Sequence, residues 1–246
     1  MNLWPTPPEP PPLFEGGVHL WAIALNEARF DTGSWLSRLS PEEQARAQRF
    51  KFADDRRRYI VAHVALRDIL AGYLELAAGD LRFVDGENGK PRLASTLAGG
   101  GIEFNLSHSH EQALIAVTQQ TVVGIDLEFV KNDFGFQEVA ERFFTDREMS
   151  ALRALPPSLQ RQAFYICWTS KEALLKARGT GLSGALDEVE ISLTSGNRIV
   201  VNALVAGWTL IELNPGDGYE GALVVEGEKA LPLHRHRWQP YSVRYA

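Results

Sequence analysis

Two short stretches of the chain combine acidic and basic side chains at spacings that could support phosphate chemistry. Asp126 and Glu128 lie two residues apart in a β-branched run, so on a strand they project from one face. Glu172 and Lys176 lie four residues apart in a stretch without Gly or Pro, so on a helix they also share a face. Carboxylates can hold Mg²⁺ against substrate phosphates, which an ammonium can also bind. The spacing therefore predicts a phosphate site between one strand and one helix.

Each pair also has an ordinary structural interpretation. An acid-first pair such as Glu172 and Lys176 stabilises an exposed helix by about 0.3–0.5 kcal/mol. Asp126 and Glu128 would suit the solvated face of an edge strand. The residues alone leave both interpretations open.

The elements that position these residues can be predicted from the hydrophobic pattern. Ser40-Pro41-Glu42-Glu43 is a helix start with a capping box, and the helical pattern continues to Leu70 with a break near Asp54. Further helices are predicted near 136–153 and 159–178. Strands are predicted at 18–25, 81–84, 102–106, 112–118, 121–130, 188–193, 198–205, 207–213 and 220–226. The predicted helices and strands follow a similar order in the first and second halves of the chain, which favours two α+β units.

Composition and charge narrow the class of protein. The 246 residues are 45% hydrophobic, enough for a sizeable core, and a single cysteine excludes an internal disulfide framework. No apolar run approaches the ~20 residues of a membrane helix, and the Pro-rich start lacks the pattern of a secretion signal. With a net charge of −6, we expect a cytoplasmic protein without membrane or nucleic-acid partners. Residues 45–58 are nevertheless basic, with six Lys and Arg against two Asp.

Six motifs together resemble a known family. G-I-D-x-E at 124–128 and W-x-x-K-E-A-x-x-K at 168–176 are similar to motifs of the 4'-phosphopantetheinyl transferases, specifically the large, surfactin-synthetase-activating type. The family order also contains R-R-R-Y at 56–59, G-K-P at 89–91, N-L-S-H-S at 105–109 and F-F-T-D-R-E at 143–148. The resemblance extends from about residue 40 to about residue 226.

The resemblance implies an α+β fold of two pseudo-symmetric halves. Each half would be a small, mostly antiparallel sheet packed with helices, with the active site in the crevice between them. Residues 1–16 are then a Pro-rich arm, disordered or extended. Residues 17–120 form the N-terminal half and residues 121–246 the C-terminal half, with a last strand that could cross back. A monomer is expected.

The resemblance also implies the reaction. The 4'-phosphopantetheine group of coenzyme A would move to a serine of an apo acyl or peptidyl carrier protein, releasing adenosine 3',5'-bisphosphate. Asp126, Glu128 and Glu172 would hold Mg²⁺, or Mn²⁺ in its place. Catalysis would depend on Glu172, Asp126 and Lys176, with Glu172 as general base directly or through a metal-bound water. Whether Glu172 is the base or only a metal ligand stays open.

Coenzyme A contacts carry over from the same resemblance. Arg46 and Arg58 would lie at or beside the 3'-phosphate. The remaining nucleotide and phosphate contacts would be Gly89, Lys90, Pro91, Ser107, His108 and Lys176. One departure is Glu43, where the family often has a lysine, because a carboxylate there would repel the phosphate.

The carrier partner is expected to be a small, acidic helical domain of fatty-acid, polyketide or peptide synthesis. Phe134 and Phe136 could contact it with Lys131 as an electrostatic guide, and core packing of both rings is the competing interpretation. Two other functions are weighed against the transferase. One is a metal-dependent phosphoesterase or nuclease that uses the same carboxylates on water. The other is a non-catalytic scaffold whose basic segment binds an acidic partner.

Overall fold

The computed structural model describes residues 4–27, 30–86, 88–96, 101–180, 191–195, 199–203, 206–229 and 231–240. Its α-helices are α1 (Thr32–Trp35), α2 (Pro41–Gln48), α3 (Ala53–Leu74), α4 (Phe136–Phe143), α5 (Asp146–Ala154) and α6 (Pro157–Arg178). Its first strands are β1 (Val18–Ala24), β2 (Phe83–Asp85), β3 (Pro91–Leu93), β4 (Ile102–Ser109), β5 (Gln112–Gln119) and β6 (Val123–Phe129). The remaining strands are β7 (Ile191–Ser195), β8 (Ile199–Ala203), β9 (Trp208–Leu213), β10 (Tyr219–Glu226) and β11 (Leu233–Arg237).

The strands form two main sheets. One has the order β11-β1-β5-β4, with β11 parallel to β1 and the other neighbours antiparallel. The second has the order β6-β10-β9 and is antiparallel. β2 with β3 and β7 with β8 form two further antiparallel pairs. The last strand therefore returns to the first sheet.

Each main sheet carries one 22-residue helix, α3 on the first and α6 on the second. This repeated arrangement gives the α+β fold its two similar halves. Each of these helices packs on a hydrophobic core, and a third core lies between the sheets and contains Ile125 and Leu127 of β6. Within the described ranges, no helix is long and apolar enough to cross a membrane.

Two breaks between helices differ from the prediction. The break between α2 and α3 falls at 49–52, because the extended Phe52 precedes α3 and Asp54 already lies in its first turn, where a carboxylate is favourable. The helix predicted at 136–153 is two helices, because Thr145 and Glu148 form a capping box that starts α5. Predicted strand positions 188–190, 198 and 204–205, and arm positions 1–3, lie outside the described residues.

The Pro-rich arm packs on the first half. Residues 4–16 contain no helix or strand. The carbonyl of Pro5 accepts the N–H of Arg237 in β11 at 2.8 Å. The ring of Phe14 packs edge-on against His19 and His234. The arm therefore covers part of the edge that β11 would otherwise expose.

Candidate active site

β6 and α6 approach each other closely at Gly124. A Cβ atom there would lie 2.1 Å from the carbonyl oxygen of Ala173 and 2.3 Å from the nitrogen of Ala177, so glycine alone permits the contact. Asp126 and Glu128 follow at alternate positions of the strand and share the face of Gly124. The glycine of the G-I-D-x-E motif therefore brings both carboxylates beside the helix.

Lys176 connects the two elements through an ion pair. Its Nζ lies 2.6 Å from Oδ1 of Asp126 and donates to Oγ of Ser107 in β4 at 3.1 Å. The Ser107 hydroxyl donates to the same Asp126 oxygen at 2.9 Å. Three side chains predicted from sequence therefore form one hydrogen-bonded group on three different elements.

Two carboxylate oxygens in and beside this group have no hydrogen-bond donor in the described part of the chain. Among the residues that the structure describes, Oδ2 of Asp126 and Oε1 of Glu172 are buried without a hydrogen-bond partner. Burial and the nearby Asp126 raise the pKa of Glu172 to about 7, with Lys176 opposing and Glu128 adding to the rise. Burial and Asp126 also raise the pKa of Glu128. The three carboxylates therefore repel one another.

These oxygens fit a hard divalent cation. Mg²⁺ and Mn²⁺ prefer oxygen ligands, and Mg²⁺ commonly takes one or two protein carboxylates together with substrate phosphates. No three His, Cys, Asp or Glu side chains in the described part of the chain are grouped closely enough to hold a metal by themselves. Asp126 and Glu172, with Glu128 beside them, therefore suit a cation that completes its coordination with phosphate and water.

The N-L-S-H-S motif joins the two halves through its alternate side chains. Asn105, Ser107 and Ser109 of β4 accept hydrogen bonds from the free edge of β6, namely from the N–H groups of Ile125, Leu127 and Phe129. Ser109 also donates to Oε2 of Glu128 at 2.8 Å. Sequence reasoning selected Ser107 and missed Asn105 and Ser109. The signal was their spacing, since three polar residues two apart share one strand face.

An electropositive region surrounds His108. The side chain is solvent-exposed, yet the protein around it partly desolvates it, and this effect together with His63 lowers its pKa. Three further cations contribute to the decrease, and they are Lys176, Arg46 and Arg58. Four predicted coenzyme A contacts, on α2, α3, β4 and α6, therefore lie near one another.

Glu43, which was expected to repel a phosphate here, is paired within the first half. It accepts the N–H of Ser40 at 2.8 Å and Nε of Arg67 at 2.7 Å, and it lies 3.3 Å from Nδ1 of His63. Burial alone would raise the pKa of Glu43, but these hydrogen bonds lower it. Its negative charge is therefore compensated locally by Arg67.

The Gly-Lys-Pro turn lies against the second half. Nζ of Lys90 donates to the carbonyl of Val123 at 2.8 Å, and Nδ2 of Asn88 donates to the carbonyl of Gly179 at 2.7 Å. Burial lowers the pKa of Lys90 to about 8. The lysine therefore holds the start of β6, and a nucleotide contact from this turn stays a prediction.

Lys171, the residue before Glu172, belongs to a second cluster that sequence reasoning missed. Its Nζ lies 2.7 Å from Oε2 of Glu148, and both side chains are fully buried. Glu148 also accepts the N–H groups of Thr145 and Ile191 at 2.8 and 2.7 Å. The pair therefore connects α6 to the starts of α5 and β7. The capping pattern T-x-x-E was the available signal.

The two phenylalanines after β6 have different environments. Phe136 is 4% exposed and packs 5.3 Å from the ring of Phe164. Phe134 is 37% exposed, and Lys131 is also exposed. Core packing is therefore the correct interpretation for Phe136, whereas Phe134 and Lys131 stay candidates for a partner contact.

Comparison with known proteins agrees with this geometry. The family model of the 4'-phosphopantetheinyl transferase superfamily matches residues 122–224, and that of the 4'-phosphopantetheinyl transferase, N-terminal, matches residues 28–120. The 4'-phosphopantetheinyl transferase HetI of Nostoc sp. is 39% identical over 97% of both chains. The 4'-phosphopantetheinyl transferase Sfp of Bacillus subtilis is 32% identical over 68% of this chain and 72% of its own. The human L-aminoadipate-semialdehyde dehydrogenase-phosphopantetheinyl transferase is 30% identical over 71% of this chain and 60% of its own.

Proposed function

The chain belongs to the 4'-phosphopantetheinyl transferase superfamily, and from that premise we propose that it transfers the 4'-phosphopantetheine group of coenzyme A to a serine of an acyl or peptidyl carrier protein. Adenosine 3',5'-bisphosphate is the second product, and Mg²⁺ is required. The supporting observation is that Glu172, Asp126 and Lys176 lie together and that two of their buried carboxylate oxygens have no donor among the residues the structure describes. A phosphoesterase or nuclease is not favoured, because the relatives are transferases.

The side chains divide the chemistry between them. The serine hydroxyl loses its proton as its oxygen attacks the β-phosphorus of coenzyme A. The bond from that phosphorus to the bridging pyrophosphate oxygen breaks, and adenosine 3',5'-bisphosphate leaves. Glu172 is suited to accept that proton, because burial and the nearby Asp126 raise its pKa to about 7 in the protein without metal. Lys176 brings an ammonium to the phosphate oxygens, and Asp126 fixes its position at 2.6 Å. Mg²⁺ bound by the carboxylates would neutralise charge that develops on the pyrophosphate.

Coenzyme A would lie across the two halves of the protein. The 3'-phosphate would bind at Arg46 and Arg58, and the pyrophosphate at His108 and Lys176. The support for this orientation is that all three of these cations lie close enough to His108 to lower its pKa. We further propose action in the cytoplasm as a monomer, on carriers of fatty-acid, polyketide or peptide synthesis.

The test is the intact mass of an apo carrier protein after incubation with the enzyme, coenzyme A and Mg²⁺. A gain equal to one phosphopantetheine group is expected, and excess chelator should abolish it. An unmodified carrier together with hydrolysed coenzyme A would favour the hydrolase instead. Complete modification in excess chelator would refute the metal requirement.

A further inference from the structure

His63 of α3 is held at one ring nitrogen by a carboxylate. Its Nδ1 lies 3.3 Å from Oε1 of Glu43. The other oxygen of that carboxylate, Oε2, accepts the N–H of Ser40 and Nε of Arg67. Burial raises the pKa of Glu43, but the hydrogen bonds from His63, Ser40 and Arg67 lower it by more, so the group is ionised at neutral pH. Because an ionised carboxylate can only accept, Nδ1 of His63 is the donor of this pair.

The imidazole ring of His63 is also fixed by stacking. Tyr59, one turn earlier on α3, packs its ring against that of His63 with 4.0 Å between ring centres and 31° between planes. Tyr59 is itself buried. Nε2 of His63 has no hydrogen-bond partner among the residues that the structure describes, and 20% of the side chain is exposed. An oriented imidazole therefore keeps one ring nitrogen for a ligand.

His63 shares the electropositive region around His108. After burial, it makes the largest contribution to the lowered pKa of His108, ahead of Lys176 and Arg46. The Arg46 guanidinium lies 5.8 Å from the centre of the Tyr59 ring, against which His63 also stacks. His63 is therefore associated with the arginines of the first half, whereas Lys176 belongs to α6 in the second half. This placement favours the 3'-phosphate of coenzyme A over its pyrophosphate as the anion that His63 would meet.

We propose that His63 is a further contact of the 3'-phosphate of coenzyme A and that Glu43 is the positioning residue that orients its Nε2 towards that phosphate. The proposal rests on the proposed function, because it takes the 3'-phosphate to lie at Arg46 and Arg58. Glu43 by itself would repel a phosphate, but through the histidine it assists phosphate binding, because it stabilises an imidazolium that donates from both nitrogens.

This contact couples phosphate binding to the uptake of a proton. Nδ1 of His63 already donates to Glu43, so Nε2 needs a second hydrogen before it can donate to a phosphate. A phosphate dianion adds negative charge beside the ring, which favours that uptake. The charged and titratable groups around the imidazole are Glu43 and Arg46 of α2, Tyr59, Arg58 and Arg67 of α3, His108 of β4 and Lys176 of α6.

The experiment is calorimetric titration of the full-length protein with coenzyme A and with 3'-dephospho-coenzyme A at neutral pH. His63→Gln should weaken the binding of coenzyme A about 10-fold, as expected for one charge-assisted hydrogen bond. The binding of 3'-dephospho-coenzyme A should change less than about two-fold, which also shows that the variant is folded. His234→Gln, at an exposed position of β11, is the matched control and should change neither affinity.

Repeating the titration in two buffers of different ionisation enthalpy counts the protons taken up with coenzyme A. The wild type should take up more protons than His63→Gln does. Glu43→Gln should reduce the uptake in the same way while it retains its affinity for 3'-dephospho-coenzyme A. A carboxylate that only stabilised the fold would not change the proton uptake, so this measurement separates the two roles of Glu43.

Each part of the proposal has its own contradicting result. Unchanged coenzyme A affinity in His63→Gln, or equal losses for the two ligands, would overturn the phosphate contact. Wild-type proton uptake in Glu43→Gln would overturn the positioning role. A wild-type protein that binds no coenzyme A would defeat this proposal together with the proposed function, whereas binding without carrier modification would refute the transfer reaction alone.

Discussion

Two carboxylate–lysine clusters involve α6, and consecutive residues of the helix belong to different ones. Lys171 pairs with Glu148 at 2.7 Å, and both side chains are fully buried. Two backbone N–H groups also donate hydrogen bonds to the Glu148 carboxylate. Glu172 has a buried oxygen without a donor in the described part of the protein, and burial and Asp126 raise its pKa to about 7. The fully paired cluster holds elements together, whereas the incompletely paired cluster retains capacity for ligands and protons.

Helix geometry explains how neighbours can serve such different purposes. Consecutive residues of an α-helix point about 100° apart, so Lys171 and Glu172 face different surroundings. Lys176 shares the face of Glu172 because it is four residues further on. In this phosphopantetheinyl transferase, the helix therefore carries a fully paired lysine and the carboxylate proposed for catalysis at adjacent positions.

Of the substitutions in the two clusters, Glu172→Gln is expected to have the largest effect on turnover. Turnover should fall by about 10²–10⁴-fold if proton acceptance is lost, with little change in melting temperature because Gln is as good a helix former as Glu. Rescue by high Mg²⁺ would indicate a ligand role, and failure of rescue with coenzyme A still bound would indicate the base. Glu141→Gln, at an exposed position, is the control. Near-normal turnover would refute the mechanism.

Lys171→Met, in the other cluster, is expected to lower the stability of the fold. Glu148 would remain buried without its cation, which should lower the free energy of unfolding by about 3–5 kcal/mol. Urea denaturation measures this loss. Adding Glu148→Gln to the same chain should recover part of it, because the buried charge is then removed. A loss below about 1 kcal/mol, as for an exposed pair, would show that this cluster is not structural.

A smaller effect is expected from the basic residues of the first half. Arg46→Ala and Arg58→Ala should each weaken coenzyme A binding by about 1.5–3 kcal/mol, as is typical of charge-assisted contacts. The loss should be smaller for 3'-dephospho-coenzyme A, because that ligand lacks the phosphate these residues would bind. Calorimetric titration of both ligands provides the comparison. Equal losses would place the two arginines elsewhere.

An effect that vanishes at neutral pH concerns His19, a buried histidine of β1. Burial, followed by His236 and His234, lowers the pKa of His19 from 6.5 to about 4. The unfolded chain therefore binds more protons in this range, so stability is complete above pH 6.5 and falls as the pH decreases towards 4. The slope should be at most about 1.4 kcal/mol per pH unit. Denaturation at several pH values should show a shallower slope for His19→Gln, and identical slopes would contradict the assignment.

Local periodicity predicted the parts of the site that lie on single elements. Alternation along β6 separates Ile125 and Leu127, which reach the core between the sheets, from Asp126 and Glu128. The four-residue spacing on α6 likewise places Glu172 and Lys176 on one face of the helix. Such patterns determine which face a residue occupies, and the structure agrees with them.

Contacts between distant elements could not be predicted in this way. Ser109 reaches Glu128, and Lys171 reaches Glu148, only because of the register between packed elements. That register depends on tertiary packing, such as the close approach at Gly124. The different burial of residues 134 and 136 has the same origin.

The pKa of Glu172 is the quantity that most directly distinguishes the two clusters. It can be measured from the side-chain carboxyl ¹³C shift as a function of pH in metal-free protein, with Glu172→Gln providing the assignment. A value of about 7 is expected, because the carboxylate is buried beside Asp126. A value at or below the ordinary 4.5 would show that the carboxylate is already solvated or paired, and would contradict its role as the reactive group of α6.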